Sequence, residues 1–146
     1  MYPNGTPSVF DNAVIRFQYP ENWQVDRQDT DEGWTVTVQS PGTAFLLISC
    51  YTERPEVTEV VQTSLQAMQQ DYPELESQTA SEKIAGHQAK GVDINFLSLD
   101  TLSSCHLRSF RTRTLTFLLL TQSSAFDNAT TLAVLDAVRL SLELIE

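Results

Sequence analysis

Chemistry requires reactive groups held together, and this chain of 146 residues offers few. Its only histidines are His87 and His106, and its only cysteines are Cys50 and Cys105. A cysteine nucleophile needs a base within hydrogen-bond reach and an electropositive surrounding that favours the thiolate. Cys105 precedes His106 directly, and adjacent strand residues point to opposite faces, so that pair does not readily share a proton or a metal ion. Cys50 can meet His106 only if their strands are neighbours. Both thiols lie in apolar, strand-like segments, where a cysteine behaves as a small hydrophobe. Buried thiols are therefore expected, with a single disulfide as the alternative if the chain is exported. No G-x-S-x-G elbow, G-x-G-x-x-G loop or G-K-[ST] loop is present. The "DTDE" run at 29–32 resembles half of a calcium loop but lacks the glycine and the distal glutamate, and reads as a solvated loop. No cofactor and no metal site are expected. A small thiol-dependent enzyme or hydrolase using Cys50 or Cys105 with His106 remains the alternative to a chain without catalysis.

The arginines are the sharpest local anomaly. Arg108, Arg111 and Arg113 place three of nine basic residues within six positions of a chain whose net charge is -10. In a strand, Arg111 and Arg113 share one face and Arg108 takes the other. They read either as cross-strand partners of acids such as Asp93 and Asp100, or as a small patch that grips an anion or carboxylate, which suits the guanidinium fork. The nineteen acidic residues exclude a nucleic-acid partner, since that needs a basic field to displace counterions. They also oppose an anionic membrane surface, and the longest apolar run, Leu115 to Leu120, is far too short to span a bilayer. Acidic charge keeps a small domain soluble. It can also select a basic or amphipathic protein partner.

The elements that must position these groups follow from periodicity. Ala13, Ile15 and Phe17 alternate with polar neighbours in a first strand that ends at Pro20, which cannot donate to a ladder. A brief strand, "QVDR", an acidic loop, and the alternating "WTVTVQS" follow. Ser40-Pro41-Gly42 marks a hairpin turn, and "TAFLLISCY" is apolar on both faces, as a central strand covered on both sides would be. From residue 55 the period becomes three to four: Val57, Val60, Val61, Leu65, Met68 and Tyr72 predict an amphipathic helix, with Pro55 in its first turn and Pro73 as its stop. Four strands follow between 75 and 124, the first of them polar enough to be an edge strand. Turns are predicted at Gly86, in the polar cluster "DTLSS" at 100–104, and near Arg113-Thr114. Short connections make these strands mostly antiparallel. The last element, from about Asn128 to Ile145, reads as a helix with Asp127 as its N-cap. The sum is an α+β domain over 13–146, with residues 1–12 loosely held: a three-layer α/β/α sandwich, a mostly antiparallel central sheet with one main helix on each face.

Several of these features together resemble the PsbP-like family, and especially its DcrB-like branch. They are the strand closing in "YPENW", the helix ending in "DYPEL", "IAGHQA" before a long meander, and the terminal "AFDNATTLAVLDAVRLSL". The match of element order runs from about Ala13 to Leu144. The family includes an extrinsic photosystem subunit, a nuclear-import factor that binds a small GTPase, and bacterial chaperones that hold secreted effectors. The resemblance implies the fold and a habit of working by binding. It makes Tyr19, Pro20, Trp23 and Gly86 structural signatures, with Pro20 turning the chain off the sheet and Trp23 plugging the end of the core. The expected role is that of a non-catalytic binding or accessory protein with a protein partner, chaperone-like or an assembly factor, with a homodimer as one option. The first ten residues show neither a cationic nor an apolar signal region, so the expected location is cytoplasmic, or periplasmic if a signal sequence has been removed.

Overall fold

The alternation in "WTVTVQ" and the doubly apolar "FLLISCY" become paired central strands. The computed structural model describes residues 7–145, and residues 1–6 of the segment expected to be loosely held lie outside them. In chain order the elements are β1 (Ser8–Asp11), β2 (Ile15–Tyr19), β3 (Gln24–Thr30), β4 (Gly33–Gln39), β5 (Phe45–Tyr51) and α1 (Val57–Asp71). There follow β6 (Glu76–Ile84), β7 (His87–Ser98), β8 (Thr101–Arg111), β9 (Thr116–Ser124), α2 (Ala129–Leu140) and β10 (Glu143–Leu144). Seven strands form one antiparallel sheet in the order β3-β4-β5-β9-β8-β7-β6, and β1-β2-β10 form a second, small one. The polar strand β6 is indeed at an edge.

Strand β9 proves that the helices lie on opposite faces. Leu118 packs into a core with Val61 and Leu65 of α1, while its neighbours Phe117 and Leu119 pack with Val134 and Val138 of α2. Successive strand residues point opposite ways, so the three-layer α/β/α expectation holds. The layers are staggered. Helix α1 lies across β7, β8 and β9, whereas α2 packs on β5 and on β2 of the small sheet.

Several local expectations give way to longer-range pairing. Residues 8–11, expected to lie outside the domain, form β1, with Phe10 opposite Phe17 and their rings stacked at 5.1 Å. The last helix stops at Leu140 because the next stretch is more valuable as β10, where Leu144 pairs with Ile15. Its N-cap is Asn128, which accepts from the Thr131 amide. Asp127 instead accepts from the amides of Thr43 and Ser124 and ties β9 to the turn before β5. Pro55 precedes α1, whose N-cap is Glu56. The acidic "DTDE" run belongs partly to β3 and partly to its hairpin turn.

Two hairpins close on two residues with positive φ, the turn that matches strand twist. Ala85 (49°) and Gly86 (82°) join β6 to β7. Leu99 (51°) and Asp100 (63°) join β7 to β8, so only the first residue of the polar cluster expected to turn is in the turn and the rest opens β8. At the Tyr19 corner, the Trp23 amide donates to the Pro20 carbonyl at 3.0 Å and the indole is buried in the α2-side core.

Candidate functional site

The structure scatters the three arginines. Arg108 projects from β8 toward the α2 side and is 8% exposed. Directly opposite it stands Gly91, whose missing side chain lets the guanidinium lie across β7 and reach the edge strand. Its Nε donates to Glu82 at 2.7 Å, its Nη2 to Asp93 at 2.7 Å, and its Nη1 to the carbonyls of Leu107 and Val92. Arg111 faces the α1 side, donating to the carbonyls of Arg54 and Pro55 and pairing with Glu56, so it fastens the start of α1. Arg113 lies beyond β8, exposed in the turn before β9. The three do not converge on one anion.

Arg108 is instead the centre of a web under α2. His106 Nδ1 lies 2.6 Å from Asp93, and Arg139 of α2 donates to Glu82 at 2.6 Å and to Asp136 at 3.0 Å. Burial alone would raise both carboxyls. Hydrogen bonds from Arg108 and Arg139 outweigh it at Glu82, those from His106 and Arg108 outweigh it at Asp93, and both stay below the ordinary carboxylate range. The web lines a cleft of about 580 Å³ between α2 and the sheet, with Ser104, Thr121 and Leu132 on its walls. Each ion is already answered by another, so the web clamps α2 to β6. Asp93 was the one partner visible from the sequence. Glu82 and Arg139 stand 57 residues apart, and no local spacing joins them.

The thiols lie elsewhere. Cys105 and Cys50 are both buried and neither is in a disulfide. Cys105 faces the α1-side core, away from His106, and burial together with the charge of Asp93 pushes its thiol up to about 12. Cys50 sits between Trp34 and Phe117, whereas His106 is in register with Thr121 and Leu46. Four strand residues separate those rows, about 13 Å along the sheet. Iodoacetamide at pH 7.5 is therefore expected to label neither cysteine of the native protein and both after denaturation. Rapid native labelling of either would revive the thiol enzyme.

A second surface was not foreseen. At the turn end of the β7–β8 hairpin, Leu97 and Leu102 face each other across the strands at 65% and 56% exposure. Leu99 in the turn is 98% exposed. The Ala125 amide donates to the Leu102 carbonyl, bringing the loop that carries Phe126, 78% exposed, to the same end. The single signal in the sequence was the unusual leucine between Ser98 and Asp100, hidden because apolar strand residues are normally buried.

No family model and no curated protein matches the sequence. Solved structures do. Cyanobacterial PsbP (CyanoP) from Synechocystis sp. PCC 6803 superposes with a TM-score of 0.63 at 11% identity, covering 99% of this chain and 96% of that one. The Ran-binding protein Mog1p of Saccharomyces cerevisiae gives 0.62 at 8% identity, covering 97% and 96%. The chain has the PsbP/Mog1 fold. A Bacteroides thetaiotaomicron protein gives 0.61 at 16% identity over 97% of this chain, which spans about half of that longer one (49%). Among the described residues, the charge web under α2 and the apolar hairpin end are two places that depart from an ordinary solvated exterior. No helix among the described residues is long and apolar enough to cross a membrane.

Proposed function

We propose that this chain is a non-catalytic binding or accessory protein that works by holding a protein partner. The observation that carries the reading is the apolar end of the sheet, where Leu97, Leu99, Leu102 and Phe126 meet water together. Single exposed leucines are ordinary on a protein surface, but a contiguous group marks an interaction site. The Ran-binding role of Mog1p, which shares the fold, supports a protein as the thing held. The burial of both thiols, with Cys105 on the opposite sheet face from His106 and Cys50 about 13 Å along the sheet from it, supports the absence of catalysis. Crosslinking in the native host, followed by affinity capture of the intact chain, is expected to recover one stoichiometric protein. Leu102→Ser with Phe126→Ser is expected to lose that protein while the Tm stays within about 2 °C, because exposed substitutions change stability little. Equal recovery by parent and variant, or nothing above background, overturns the reading.

A further inference from the structure

Beside the apolar end lies a groove of about 580 Å³ between the chain leaving α1 and the last residues of β7. Its floor is apolar, with Phe96 buried, Tyr72 packed on it at 4.4 Å between ring centroids and Leu75 beside them, and the exposed Leu97 and Leu102 also line the groove. Its rim is acidic. Asp71, Glu74 and Glu76 line it and no basic residue does, while Asp100 adds a further carboxylate at the hairpin tip. The pairing of β6 with β7 ends at Glu76 and Asn95, so Phe96 to Ser98 run on with no strand among the described residues along that edge.

Each feature narrows the occupant. An open strand edge beside apolar pockets suits an extended segment, which gains main-chain hydrogen bonds there and buries alternate side chains. A second copy of this chain fits badly, because a two-fold contact would set one acidic rim against another in a protein of net charge -10. An anionic lipid surface meets the same repulsion. We propose that this groove docks an extended segment of a protein partner whose apolar side chains are flanked by lysine or arginine. The proposal rests on the partner-binding reading above and names the chemistry of what is bound.

Leu99 supplies an independent sign. It holds φ at 51° with its side chain 98% exposed, in a turn that favours asparagine or glycine. Neither packing nor backbone preference accounts for a leucine there, whereas an apolar contact to a docked segment does. Folding and binding then pull this position in opposite directions.

The test uses the intact chain and two fluorescein-labelled synthetic peptides of alternating valine and leucine, one flanked by lysines and one by glutamates, read by anisotropy. The lysine peptide is expected to bind at least about tenfold more tightly at low salt, with the gap narrowing as salt is added. Glu74→Gln with Glu76→Gln removes most of that preference. Leu99→Asn weakens the lysine peptide at least about threefold while raising the Tm by about 2–4 °C. Hydrogen exchange should show protection over 71–76 and 95–102. Equal affinity for the two peptides, protection appearing under α2 instead, or a dimer that protects 95–102 overturns the groove assignment. If the lysine preference is absent while the crosslinked partner is still recovered, the groove chemistry fails and the partner-binding reading survives. If the crosslink fails while the lysine peptide still protects 95–102, the surface stands and the accessory role falls.

Discussion

Gly91→Ala is expected to lower the unfolding free energy by about 3–5 kcal/mol, a large share of the stability of a typical domain. A Cβ at this position would lie 1.6 Å from the Leu107 carbonyl oxygen, 2.6 Å from its carbon and 3.1 Å from Arg108 Cα. All three are backbone atoms of β8, so no side-chain rotation relieves the clash, and β7 must separate from β8 near the middle of the hairpin. That separation also disturbs the Leu107 and Val92 carbonyls that hold the Arg108 guanidinium. The contrast is Gly86, which has φ at +82° and nothing within 4 Å of its Cβ position. Asparagine tolerates that conformation, so Gly86→Asn is expected to cost under about 1 kcal/mol. Urea midpoints of the two variants check both values. A Gly91→Ala unfolding free energy within about 0.5 kcal/mol of the parent, inside the range of an ordinary surface change, would refute the close approach of the two strands.

What the sequence made legible was whatever its local period could carry. "WTVTVQ", "FLLISC" and the three-to-four spacing from Val57 to Tyr72 each state their own geometry, and the polar "ESQTASEK" announces its edge position. Element order then left little freedom in the layers. The misreadings share one cause, which is that the deciding partner is remote in sequence. β10 exists because Ile15 offers its edge to Leu144, and β1 exists because Phe17 offers a ring to Phe10. Asp127, a sound N-cap on local grounds, is taken by Thr43, 84 residues away, and its neighbour Asn128 caps the helix instead. The arginine cluster shows the same limit. Proximity in sequence suggested one patch, but β8 sends Arg108 and Arg111 to opposite faces, and each is answered by residues from other elements. The exposed end was invisible for a different reason, since apolar alternation is taken as burial wherever a sheet neighbour is assumed. β6 begins too late to supply that neighbour for Leu97.

Arg108→Met should produce the other large effect, and its dependence on pH identifies the cause. Methionine fills much of the same volume but donates nothing, so Glu82 loses one of its two arginine partners and Asp93 keeps only His106. Both carboxylates are partly solvated, at 32% and 40% exposure, which reduces the loss from the 3–5 kcal/mol of a fully buried pair to about 2–3 kcal/mol at pH 7. That corresponds to a Tm lower by about 6–12 °C. In the parent, Glu82 and Asp93 titrate below their ordinary range in the folded state. The unfolded chain therefore binds more protons than the folded one in that region, and stability rises with pH there. The contribution is complete above about pH 5 and disappears as pH falls through the ordinary values near 4 to the lower folded ones. The deficit of Arg108→Met should thus be greatest at pH 6–7 and shrink steadily toward pH 3, giving the variant a flatter acid limb. Urea midpoints between pH 3 and 7 measure this directly. A deficit that stays constant with pH would assign the effect to packing of the arginine stem and remove the charge web from the account of what clamps α2 to β6.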